Sequence, residues 1–209
     1  MGVHVSRIQS LTLDNIGTSQ LLIARVMSNN GFNDIMEASC NLLQKPNANS
    51  TMDERNQFIR SKYLLKKFII RTCTSDSELL NELEQAVQSK DIFFLLQVWA
   101  EGANLSCPLP SNVISETSFH YAIMHEFDGF SLHMVDFLIQ NSANLNSATS
   151  PDCNTPLHYA VIYNRSECMK LLLRSNADFT IKNASGQTPL DIAKAEHNVF
   201  LVELVNLFF

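Results

Sequence analysis

Along the first stretch of the chain, apolar positions alternate with polar ones: Val3, Val5, Ile8, Leu11 and Leu13 are each set apart by residues that favour water. Alternation of this kind predicts buried extended structure instead of the loose, polar terminus that chains commonly show. The pattern then changes. "TSQLLIARVMSNNG" has capping candidates at Thr18 and Ser19 and terminators at Asn30 and Gly31, which predicts a helix, and "FNDIMEASCNLL" predicts a second, shorter one. The polar stretch "QKPNANST" reads as a loop. "MDERNQFIRSKYLLKKFII" is the longest helical signal, with Phe58, Ile59, Tyr63, Phe68 and Ile69 roughly on one face and Arg60, Lys62, Lys66, Lys67 and Arg71 on the other. A charge run of this sort is either a solvated face or a surface turned to an anionic membrane or a GTPase.

Beyond residue 72 the chain repeats itself. "TPLHYA" at Thr155 to Ala160 returns as "TPLDIA" at Thr188 to Ala193, a spacing of 33 residues. A blurred copy, "TSFHYA" at Thr117 to Ala122, lies 38 residues before Thr155, and the excess fits a bulge near "EFDGF". Related turns, "GANL" from Gly102, "SANL" from Ser142 and "NADF" from Asn176, close the units. The period and the motif resemble those of ankyrin repeats. Four units are expected, over about 76–111, 112–149, 150–182 and 183–209, the first inferred from two helical patterns and its Gly-containing turn.

The repeat has physical content. The Thr155 hydroxyl can cap a helix, and Pro156 then stands at the first helical position, where its missing N–H costs nothing. Leu157 is expected to turn inward, and Ala160 to let a second helix approach, one spanning about Glu167 to Arg174 with Met169, Leu171, Leu172 and Leu173 on its apolar side. No unit covers its own apolar face, so stacking supplies the core. His120 and His158 hold the same place in successive units, and the resemblance implies that each bonds the backbone of the neighbouring loop, not a metal or a substrate. Cys153 stands where Gly186 stands one unit later, so a positive φ there would be strained and the loop looser. Leu207, Phe208 and Phe209 are apolar where a terminal repeat presents a polar face, so the carboxyl end is expected to be cut.

Composition narrows the function. The 209 residues are 45% hydrophobic and 17% charged, enough for a real core in one or two domains. Fifteen basic against 21 acidic residues leave a net charge of −6, which disfavours nucleic acid as a partner. The absence of a long apolar run or a basic-then-apolar leader leads to a cytoplasmic expectation. Cys40, Cys73, Cys107, Cys153 and Cys168 are odd in number and widely spread, with no CxxC pair, so reduced thiols are expected, with Cys168 a small core residue. His125 and His133 form no HExxH arrangement, and neither a phosphate-cradling Gly-rich loop nor a GxSxG elbow occurs. No catalytic, cofactor-binding or metal-ligating residue is therefore assigned.

Three segments, in order, carry a second resemblance. "GVHVSRIQSLTLD", "NNGFNDIMEA" and "ERNQFIRSKYLLKKF" are similar to the second half of an Arf GTPase-activating domain, and repeats directly after it resemble the ASAP subgroup, whose members also carry BAR, PH and often SH3 domains. The implied fold is mostly α, an ankyrin-repeat solenoid over 73–209 packed after a truncated α+β Arf GAP domain over 1–72. In that family the domain begins with a four-cysteine zinc module and a catalytic arginine just before the Gly-Val-His segment, and Met1 falls between that arginine and Gly2. The expectation is a chain without zinc or arginine finger, inactive as a GTPase activator and serving as a protein-interaction module. The alternative is an active Arf GAP whose upstream half is missing only from this sequence. The resemblance implies that Arg7, Leu13 and Asp14 contact an Arf-family small GTPase; the competing reading makes Leu13 core and Asp14 a helix cap. It also implies protein ligands for the repeats and peripheral association with membranes.

Overall fold

The computed structural model describes residues 16–127, 129–141 and 144–206. The predicted extended segment Val3 to Leu13, the start of the "SANL" turn and the terminal Leu207 to Phe209 lie outside the described residues. Among those described there are eleven α-helices and no strands, with one isolated bridge between Pro108 and Thr117.

The N-terminal unit holds three helices, α1 (Thr18–Val26), α2 (Asn29–Met36) and α3 (Met52–Ile59). Gly17, not Thr18 or Ser19, occupies the cap of α1, and Asn30 and Gly31 do not end that helix: they form the first turn of α2, where the Ser28 hydroxyl accepts from the Gly31 N–H at 3.1 Å. The reason for the glycine is packing. A Cβ on Gly31 would lie 2.6 Å from Phe93 Cε1, so only glycine lets α2 come this close to the repeats. A 3₁₀ turn over Leu42–Gln44 follows α2, and Thr51 and Glu54 cap the start of α3 reciprocally. The helix runs on as a π turn, Arg60–Leu64, and stops at Lys66, whose φ of +47° breaks it. Phe68 and Ile69 therefore leave the helix face predicted for them. Phe68 instead folds under Phe58, ring centroids 5.5 Å apart, while its carbonyl accepts from the Ser39 N–H and hydroxyl.

Four helix pairs follow: α4 (Asp76–Ser89) with α5 (Ile92–Glu101), α6 (Ser118–Met124) with α7 (Leu132–Asn141), α8 (Pro156–Ile162) with α9 (Ser166–Arg174), and α10 (Pro189–Ala195) with α11 (Val199–Asn206). Three pairs turn on one left-handed residue, Lys90, Asn164 or His197, with φ of 57°, 55° and 55°. The second pair has the expected bulge, Glu126 to Ser131, with the left-handed position taken by Gly129 at φ +78°. Inner helices α4, α6, α8 and α10 stack in order, and outer helices α7, α9 and α11 stack behind them.

One apolar cluster runs from Leu83 to Leu204 through all four pairs, as stacking requires. Leu157, Ala160, Cys168, Met169 and Leu172 are all buried in it. Thr155 caps α8 by accepting from the His158 N–H, with Pro156 in the first turn as expected. Cys153 adopts φ +56°, yet its hairpin is intact, since Cys153 N–H donates to Thr149 O and Thr149 N–H to Asn154 O, both at 3.0 Å. The N-terminal unit sits on the outer layer, α1 against α7 and α2 against α5.

Candidate partner-binding surfaces

The hairpins are held by the repeat histidines. Thr117 N–H and hydroxyl bond His120 Nδ1 at 3.3 and 2.9 Å, and His120 Nε2 lies 3.1 Å from the carbonyl oxygen of Asn154 in the next unit. Thr155, His158 and Gln187 O repeat the arrangement one unit on, with Nε2 again 3.1 Å from the carbonyl. This network assigns the neutral tautomer with its proton on Nε2. Burial enforces it: the His120 imidazole is pushed down to about 4, and His158 is lowered for the same reason. Both ring nitrogens are thus committed to structure. Adjacent fingers are also joined through backbone, Ser150 N–H to Ile114 O and Ala184 N–H to Asp152 O, each at 2.8 Å. The first finger ends on Val113, 97% exposed. A rigid row of fingers with an apolar side chain at its tip is a surface suited to protein ligands.

The basic side of the third helical segment does not survive as one solvated face. Lys62 is buried, its Nζ 2.5 Å from Asn33 Oδ1 and 2.7 Å from Glu37 Oε1, and Lys45 reaches the other Glu37 oxygen. Burial alone would raise the Glu37 carboxyl, but hydrogen bonds from Lys45 and Lys62 outweigh it and the group sits below its usual range. Lys66 folds the other way, its Nζ 2.8 Å from Trp99 O and 3.5 Å above the indole ring, and burial lowers its pKa. Only Arg60, Lys67 and Arg71 remain exposed. Lys67 walls an open cleft of about 390 Å³ together with Leu43, Lys45, Pro46, Glu54 and Phe58, and Leu42, Leu43, Leu64 and Leu65 are also exposed in this unit. The mixture fits a protein partner better than a purely electrostatic one. Composition could not reveal this, because the side-chain directions of Lys62 and Lys66 depend on the π turn and on α5.

Glu101, at the end of α5, ties the two units together. Its carboxylate accepts from Thr72 N–H at 2.9 Å, Thr72 hydroxyl at 2.8 Å, Cys73 N–H at 3.0 Å and Gln97 Nε2 at 2.6 Å. Burial pushes this carboxyl up, but the bonds from Gln97, Cys73 and Thr72 together hold it lowered. Gln97 also donates to Ile70 O. The segment leaving the N-terminal unit is thereby fastened to the first repeat.

Arg7, Leu13 and Asp14 lie outside the described residues. Among those described, no group of three or more His, Cys, Asp or Glu side chains could hold a metal ion. No helix among the described residues is long and apolar enough to cross a membrane.

Comparison with known proteins agrees with this architecture. The family of ankyrin repeats (3 copies) matches residues 83–183 and 119–206, which together make up more than half of the chain. The chain belongs to the ankyrin-repeat family. Ahead of the repeats, residues 1–72 match the family described as putative GTPase activating protein for Arf. The yeast Saccharomyces cerevisiae ADP-ribosylation factor GTPase-activating protein effector protein 1 is 29% identical over 160 residues, 70% of this chain and 33% of its own length. Human Arf-GAP with coiled-coil, ANK repeat and PH domain-containing protein 3 is 37% identical over 71 residues, 33% of this chain and 8% of its own length. Chicken NF-kappa-B inhibitor alpha is 36% identical over 78 residues, 37% of this chain and 24% of its own. The chain thus spans a third or less of these relatives.

Proposed function

We propose that the chain docks an Arf-family GTPase through residues 1–72 and a second protein through its repeats, working in the cytoplasm and at the periphery of membranes. The match of residues 1–72 to the Arf GAP family, directly ahead of the repeats, carries this reading. Among the described residues, α1 and α2 pack mainly on the outer helices α7 and α5, which supports a second partner on the other side of the repeats. Arg7, Leu13 and Asp14 are the proposed GTPase contacts. The 209 residues contain no CxxC pair from which a zinc module could be built. On this proposal these residues supply docking, and the arginine that neutralises charge on the transferred phosphoryl group, a contribution of roughly 10³ to 10⁵ in rate, comes from outside them. Titrating GTP-loaded Arf with the chain tests the docking: saturable binding lost in Arg7→Ala supports it, and binding that survives Arg7→Ala or fails to occur refutes it.

A further inference from the structure

The turn between α6 and α7 carries residues that the period of the repeats does not need, and Phe127 stands on it 67% exposed. Its ring lies against Arg165 of the following turn, the guanidinium carbon 4.4 Å from the ring centroid. Three unfavourable choices meet at this contact. A large apolar ring faces solvent on an inserted turn, where polar residues would serve. Arg165 holds the cap position of α9, where a cation opposes the helix dipole, and gives that helix no side-chain cap. Its Nε is buried without a hydrogen-bond partner, and of the five guanidinium donors one, on Nη2, is engaged among the described residues, by Met124 O at 3.0 Å. No ion pair among the described residues includes Arg165. Glu167, in the first turn of α9, turns to Lys170 at 2.6 Å, and Glu126, at the start of the inserted turn, is buried. Lys90 lies on the other flank, its Nζ 2.9 Å from His125 O and 5.8 Å from the Phe127 centroid, while Asp91 beside it is engaged in capping α5. Departures from what folding favours collect where a sequence serves a ligand. An exposed ring beside an under-bonded guanidinium has the composition of an interface anchor, and the planar fork of the guanidinium selects a carboxylate. A lipid surface fits less well, because it asks for a cluster of cations, and here Lys90 and Arg165 stand against Asp128 in the sequence of the turn.

We infer that Phe127 and Arg165 form a docking point for an acidic segment of a partner protein. A carboxylate of the segment bonds the remaining donors of Arg165, and an apolar side chain next to it covers the Phe127 ring. The point lies at the end of α6 opposite the fingers. It rests on the reading that the repeats bind a protein and says where; it does not need GTPase docking. A library of random twelve-residue peptides displayed on phage and selected on the immobilised 209-residue chain tests it. The selection should yield peptides with Asp or Glu beside a large apolar residue, binding the parent chain saturably. The same peptides should bind roughly tenfold more weakly to Phe127→Ala, and likewise to Arg165→Lys, which keeps the charge but loses the fork. The thermal midpoint of Phe127→Ala should match the parent, since the ring is exposed. Peptides that bind both variants as they bind the parent but lose affinity for Val113→Ala would overturn the docking point while leaving protein binding by the repeats in place. A selection that yields no acidic peptides overturns it as well. So does co-sedimentation of the parent chain with phosphatidylcholine–phosphatidylserine vesicles that is lost in Phe127→Ala, which would assign the ring to a membrane.

Discussion

His120 reaches across the gap between two repeats, its Nε2 3.1 Å from the carbonyl oxygen of Asn154, and does so as a neutral ring. Protonating it would remove the Nδ1 acceptor that Thr117 N–H and hydroxyl use. With a folded pKa of about 4, below the ordinary 6.5, its contribution is fully present above pH 6.5 and is lost as the pH falls from there toward 4. Thermal unfolding should show a midpoint that drops across this window in the parent chain and drops less in His120→Gln. The substitution itself should destabilise by about 1–3 kcal/mol at pH 7. Equal pH dependence in both proteins would refute the assignment.

Cys153 holds a left-handed conformation that Gly186 holds one repeat later, with φ of 56° and 74°. A non-glycine residue there is strained, and its thiol makes only a weak contact with Pro151 O at 3.6 Å. Cys153→Gly is expected to stabilise the chain by about 0.5–1 kcal/mol in urea unfolding, through relief of that strain. A loss of stability would show that the thiol contributes more than its geometry suggests.

Glu101→Ala removes four hydrogen bonds at the joint between the units, and about 2 kcal/mol of destabilisation is expected, because Thr72 is exposed and water can replace part of what is lost. Hydrogen exchange should quicken in residues 16–72 while residues 150–195 keep their protection. Because the carboxyl is lowered in the folded state, its contribution is present above its ordinary value of 4.5 and is lost as the pH falls below that. Uniform acceleration of exchange along the chain would argue against a local clasp.

The repeats were legible because their signals are local. Thr155 and Pro156 specify a helix start, Leu157 and Ala160 its buried face, and the spacing to Thr188 the stacking partner. The surplus of residues between Thr117 and Thr155 went where a bulge was expected, into the turn between α6 and α7. The N-terminal unit was read less well because distant contacts decide its details. Gly31 looked like a terminator but serves the approach of α2 to Phe93, more than sixty residues away. Lys62 and Lys66 looked like one basic face, yet Glu37 draws the first inward and Trp99 captures the second.

The division of labour proposed for residues 1–72 is tested most directly by single-turnover GTP hydrolysis on Arf. The 209-residue chain is compared alone and fused at Gly2 to a four-cysteine zinc segment ending in the family's arginine. The expected result is no acceleration by the chain alone and roughly 10³-fold or more by the fusion, most of it lost when the added arginine becomes lysine, which lacks the planar fork that bridges phosphate oxygens. A thousand-fold acceleration by the unfused chain, or none by a zinc-loaded fusion, would contradict it.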